Sequence, residues 1–101
     1  MSRQSEYDER VAICMVDGGL SDGRAHRIAV EQMPEAGKSD CPEAWLRLNK
    51  WWHAAATSRY GRAKLEGVRD AIKAKHGVES FTELTLGQIQ DSIDVLEAGD
   101  E

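Results

Sequence analysis

At 101 residues, with 41% hydrophobic and 31% charged side chains, the chain is long enough for one domain with one core and too apolar to be disordered. No apolar run approaches the roughly 18 residues of a membrane span, and the opening MSRQSEYDER lacks a signal peptide's apolar centre, so a cytoplasmic protein is expected. The net charge of −5 is segregated: residues 1–35 carry −3, residues 36–77 carry +5, and residues 78–101 carry −7 with no Lys or Arg.

The first helix is predicted over Glu6 to Asp17, with Ser5 as N-cap and Glu6, Asp8 and Glu9 suited to the positive pole of its dipole. Tyr7, Val11, Cys14 and Met15 form one face, and Ala12, Ile13 and Val16 make most of the rest apolar. A helix apolar on most sides is expected to be buried on most sides. Gly18-Gly19 stops it, and Ser21 caps a second helix over Asp22 to Met33 with Ala25, Ile28, Ala29 and Gln32 facing inward. So short a joint implies a helical hairpin or a helix-turn-helix corner. Asp22 and Glu31 put acid where phosphate would lie, which argues against DNA reading by this helix.

Residues 34–42, PEAGKSDCP, hold both prolines and Gly37 and read as a linker. Ser39 or Asp40 then caps a helix whose first turn contains Pro42. In AWLRLNKWWHAAATSRY, residues 44–60, Trp45, Leu48, Trp52 and Ala55/Ala56 draw one apolar stripe, which marks the central core helix. Trp51 points about 100° away from Trp52 and is either a second core contact or an exposed aromatic. After a break or bend at residues 59–62, a fourth helix runs from Arg62 to His76 on a Leu65/Val68/Ile72 stripe and ends at Gly77, with Val78 closing it. Residues 80–84 make a short turn. Thr85 and Gln88 form a capping box for a last helix built on Leu86, Ile89, Ile93 and Leu96, which Gly99 ends before Asp100 and Glu101 fray.

The expectation is an all-α, compact single-domain bundle of about five short helices: an N-terminal hairpin over 5–33, the linker 34–42 and a three-helix part over 43–98. Cys14 and Cys41 are expected as free thiols. With His26, His53 and His76 they offer no paired ligand spacing, so no metal and no cofactor is expected. There is no phosphate-cradling loop, no nucleophile elbow, and no carboxylate in an apolar window that would raise its pKa, so the chain is not read as an enzyme.

Two surface features remain. The basic centre, Arg47, Lys50, Arg59, Arg62, Lys64, Arg69, Lys73 and Lys75 with Trp51 and Tyr60 interleaved, suits single-stranded nucleic acid, or is the solvated face of two helices paired with Glu66, Asp70 and the acidic terminus. In the last helix Asp91, Asp94 and Glu97 approach the negative pole of the dipole, where acid is mildly unfavourable, which hints at an external reason for them. Such carboxylates either imitate the spacing of phosphates before a Lys- and Arg-lined channel or form an ordinary solubilising face.

The pattern Ala12…Gly19-Leu20-Ser21…Ala25…Ala29 superficially resembles the turn of a DNA-binding helix-turn-helix and also looks like the first two helices of a ubiquitin-associated domain. From Asp8-Glu9-Arg10-Val11-Ala12-Ile13 through Asp17-Gly18-Gly19-Leu20-Ser21 to Ala25 and Ala29, the chain is similar to a short helical segment in proteins of proteobacterial phages and integrative elements. Lys64-Leu65-x-x-Val68-x-x-x-Ile72-Lys73-x-Lys75-His76-Gly77-Val78-x-Ser80-Phe81-x-x-Leu84 resembles the C-terminal domain of phage antirepressors, in which a helix ends in a Gly-Val-x-Ser-Tyr/Phe turn before a final helix. Both point to a mobile genetic element. In size, charge and origin the chain looks like the all-helical phage-encoded anti-CRISPR proteins that inhibit type I systems. That resemblance implies an inhibitor that binds the host Cas effector complex and blocks its access to DNA, without binding nucleic acid or membrane itself. The acidic side chains expected to make that contact are Asp91, Asp94 and Glu97, with Asp22 and Glu31 in reserve. The alternative is an antirepressor-type module that binds DNA or a repressor.

Overall fold

The computed structural model describes residues 2–98, and its helices are α1 (Arg3–Val16), α2 (Asp22–Gln32), α3 (Pro42–Tyr60), α4 (Leu65–His76) and α5 (Leu86–Ala98). Single 3-10 turns at Arg62–Lys64 and Phe81–Glu83 lead into α4 and α5, and no strand occurs among the described residues. The all-α expectation holds. The predicted stop at Gly99 and fraying of Asp100 and Glu101 lie outside the described residues.

The core forms where α3 lies against α5. Trp45, Leu48, Trp52 and Ala56 are buried along one side of α3, as the stripe required, and Leu86, Ile89, Ile93 and Leu96 are buried on α5. Phe81 inserts between the tryptophans, its ring 4.9 Å from that of Trp52 and 6.4 Å from that of Trp45. The indole N–H of Trp45 donates to the carbonyl of Leu84 at 3.0 Å, so the large ring is buried without an orphaned donor. The Thr85–Gln88 capping box forms as expected, with Thr85 N donating to Gln88 Oε1 and Gln88 N to Thr85 Oγ1. Gly77 adopts a left-handed φ of 69°, and Val78 N donates back to Lys73 O, closing α4 as its sequence predicted.

Several expectations are corrected. Residues 34–42 are not a free linker: Met33, Ala36 and Cys41 are buried, and the carbonyls of Ala36 and Pro34 accept from the N–H groups of Leu86 and Gly87 at 2.9 and 3.0 Å. Those donors belong to the first turn of α5 and have no partner within the helix, so the segment completes that helix. A Cβ at Gly87 would stand 2.8 Å from Pro34 Cβ, so this contact requires a glycine. Neither Ser39 nor Asp40 caps α3. Gln4 does so from 39 residues away, its Oε1 accepting from the N–H groups of Glu43 and Ala44 at 2.9 and 3.2 Å, while Asp40 accepts from Gly37 N within the loop. The first helix starts at Arg3 with Ser2 as its cap, not Ser5. On α2, Val30 takes the buried place expected of Gln32, which is exposed, and Ile28 is half-buried.

The largest departure is on α1. Only Tyr7 and Val11 are buried there; Val16 is 80% exposed and Ile13 51%. Helix α1 packs on α2 and on part of α3, and nothing covers its remaining sides.

Candidate partner-binding surface

The chain from 78 to 98 folds as the Phe81–Glu83 turn and α5, so its carboxylates stand on a helix held in place by buried side chains on its opposite face. Asp94 faces α2. Arg27 Nη2 donates to its Oδ2 at 2.8 Å, and Gln90 Nε2 donates to Oδ1 at 3.1 Å. Arg27 Nε also lies 3.8 Å from Glu31 Oε2. Asp91, one turn earlier on α5, is exposed and has no ion-pair partner among the described residues. The structure therefore gathers Asp94 and Glu31 around one guanidinium and leaves Asp91 unpaired beside them, a ridge with more acid than base. Exposed pairs of this kind contribute at most about 1 kcal/mol each, so the ridge keeps carboxylate oxygens available to a competing cation.

The other two acidic candidates lie elsewhere. Glu97 accepts from the indole N–H of Trp51 at 2.7 Å, tying the end of α5 to α3. This resolves Trp51 as half-buried and packed against the core. Asp22 accepts from Arg47 Nη2 at 2.6 Å and lies 3.6 Å from His26 Nε2. Two of the three carboxylates on α5 thus have internal partners, Arg27 and Trp51, which account for part of the acid near its C-terminus.

Sequence reading missed a cleft of about 890 Å³ where α1, α2 and α3 meet, lined by Tyr7, His26, Arg47, Lys50 and Trp51 among others. Tyr7 Oη lies 2.7 Å from His26 Nδ1, and the other ring nitrogen faces Asp22. The chain Tyr7–His26–Asp22–Arg47 ties all three helices. Burial pushes the Tyr7 phenol up to about 12, and burial followed by the Arg47 charge lowers His26. A phenol raised in pKa is a poorer nucleophile at neutral pH, and both imidazole nitrogens face structural partners, so the chain of contacts fastens helices rather than activating a group. The only advance signal was the i,i+4 spacing of Asp22 and His26. Cys41 is fully buried with its thiol raised by burial, and Cys14 is half-buried; both are free. Among the described residues, no three His, Cys, Asp or Glu side chains stand together as metal ligands would.

The basic centre is dispersed by the fold. Arg47 pairs with Asp22, and Lys73 lies 3.0 Å from Asp70. Arg69 hydrogen-bonds His53 and stacks over Phe81 at 5.1 Å and Trp52 at 5.6 Å. Burial and the Arg69 charge lower the His53 pKa. Lys50, Arg62, Lys64 and Lys75 are exposed without an ion pair among the described residues. Of the two aromatics interleaved with them, Trp51 is engaged by Glu97, and Tyr60 has the Arg59 guanidinium 5.5 Å from its ring. No run of free aromatic faces is left on which bases would stack. No helix among the described residues is long and apolar enough to cross a membrane. No protein-family model, curated protein or solved structure matches the chain.

Proposed function

We propose that this chain is a phage- or mobile-element-encoded inhibitor of CRISPR immunity, which binds a type I Cas effector complex and keeps target DNA from it. The observation that supports this most is the α2–α5 ridge. Asp91, Asp94 and Glu31 stand on two packed helices with Arg27 as the one base among them, in a region where residues 78–98 contain no Lys or Arg. Target DNA is held by Lys and Arg, and a rigid acidic ridge competes for those groups without offering a phosphodiester to cut. The protein acts by occupancy and performs no chemistry.

The test is phage plaquing on bacteria that carry an active type I system and express the chain. Wild type should restore plaques. Asp91→Lys with Glu31→Lys should abolish the effect while the helical signal persists, since both positions are exposed. Asp94 is changed to Asn instead, because lysine there would face Arg27. If the double reversal still protects phage fully, the ridge is not the contact.

A second reading, an antirepressor-type regulator, is favoured by one observation. Residues 65–98 fold in the order that resemblance implies: α4, a cap at Gly77-Val78, the turn at Phe81 and α5. A wild-type chain that leaves CRISPR immunity untouched but shifts duplex DNA in a gel, with steep salt dependence, would put this reading first.

A further inference from the structure

Two surface patches each carry apolar side chains bracketed by unpaired charge, and the charges are opposite. On α1, Glu9, Ile13 and Asp17 stand in one row four residues apart, with exposed Ala12 and Val16 alongside. Neither Glu9 nor Asp17 makes an ion pair among the described residues. The second patch is a groove of about 210 Å³ between α4 and α5. Val68, Ala71 and Ile72 line it from α4, and Val95, 51% exposed, lines it from α5. Lys64 precedes Val68 by four residues and Lys75 follows Ala71 by four, so both bracket the groove on the same side of α4. Both lysines are exposed, and neither makes an ion pair among the described residues. One patch reads acid–apolar–acid and the other base–apolar–base.

The dimensions agree. The carboxylates are separated by about 12 Å of helix and the lysines by about 16 Å, a difference the flexible lysine stem spans. Each patch has the same sign at both ends, so the ion pairs form whichever way the helices run. Within one molecule the patches are kept apart. Helix α1 borders the start of α3, where Gln4 caps Glu43 and Ala44, whereas α4 borders its second half, where Arg69 meets His53.

We propose that a second copy of this chain occupies each patch: α1 of one molecule lies in the α4–α5 groove of the next. Symmetric pairing is disfavoured because α1 against α1 sets carboxylate on carboxylate, and groove against groove sets lysine on lysine. The contact is therefore heterologous and builds head-to-tail chains unless the rotation closes a ring. It does not rest on the CRISPR reading. A contact of roughly 400 Å² per molecule, half the standard size, binds weakly and is visible only at high concentration.

Sedimentation equilibrium between about 10 µM and 1 mM tests it, the range in which so small a contact forms. The apparent mass should climb from the 11.2 kDa of one chain to at least double, and fall back as salt is raised. Val16→Asp removes the α1 side and Lys75→Glu the groove side; each variant alone should stay at the mass of one chain. Mixed in equal amounts they retain one intact α1 face and one intact groove, and should form a dimer and nothing larger. Both positions are exposed, and circular dichroism checks that both variants stay helical. A wild-type chain that remains monomeric throughout overturns the proposal and leaves these faces to an unrelated partner. Either variant associating alone, or a mixture that stays monomeric, overturns the head-to-tail arrangement.

Discussion

Helices α1 and α5 look alike in sequence and end differently in the fold. Helix α1 carries Tyr7, Val11, Ala12, Ile13, Cys14, Met15 and Val16, yet buries only Tyr7 and Val11. Helix α5 buries Leu86, Ile89, Gln90, Ile93 and Leu96. The difference lies in what surrounds them. Helix α5 is pressed along α3, touches α2, and has its first turn fastened by the carbonyls of Pro34 and Ala36. Helix α1 has α2 on one side and the start of α3 below, and faces solvent elsewhere. Burial follows the geometry of the neighbours, and apolar surface left over on a small protein is surface free to meet a partner.

The comparison is sharpened by substitutions on each side of it. The largest loss is expected at Trp52, fully buried against Phe81: Trp52→Ala should cost about 3–5 kcal/mol in denaturant melts. A variant that melts like wild type would show that the α3–α5 contact is not the centre of stability. Gly87→Ala should cost about 1–3 kcal/mol, because the added methyl meets Pro34 Cβ at 2.8 Å and either the loop or α5 must shift. Gln4→Ala removes the cap that α1 lends to α3 and should cost about 1 kcal/mol.

A smaller effect comes from acid. The folded state holds His26 and His53 below their ordinary value of 6.5, so between that value and the lowered ones the unfolded chain binds more protons than the folded one. Stability should therefore be full above about pH 6.5 and decline as pH falls below it, before most carboxylates titrate. His26→Gln should flatten part of that decline in melts recorded at successive pH values. The smallest effect is expected at the exposed end of α1: Val16→Ser should change stability by less than about 0.5 kcal/mol, against several for any large buried side chain of α5. A loss of 2 kcal/mol or more there, in the range of core substitutions, would mean that α1 is covered after all.

Elements with a self-contained signal were legible in the sequence. The tryptophan stripe, the Thr85–Gln88 capping box, the Gly77-Val78 stop and the Ser21 cap all depend on residues within a few positions of each other. Features made between distant residues were not legible. Gln4 capping α3, Pro34 and Ala36 completing α5, and Tyr7 meeting His26 each join segments that no local pattern relates. The same holds for the acidic surface. The carboxylates of α5 were visible as a charge run, but that Arg27 would reach Asp94 and Trp51 would reach Glu97 depended on how α2 and α3 pack against α5.

The most direct measurement of the proposed function uses a purified type I effector complex, with labelled target duplex as the readout. Adding the wild-type chain before the duplex should suppress DNA capture in proportion to the chain bound, with suppression weakening as salt rises. Asp91→Lys with Glu31→Lys should leave capture intact. DNA capture that is unchanged by a large excess of wild-type chain, with no co-migration of the chain and the complex, would contradict the account.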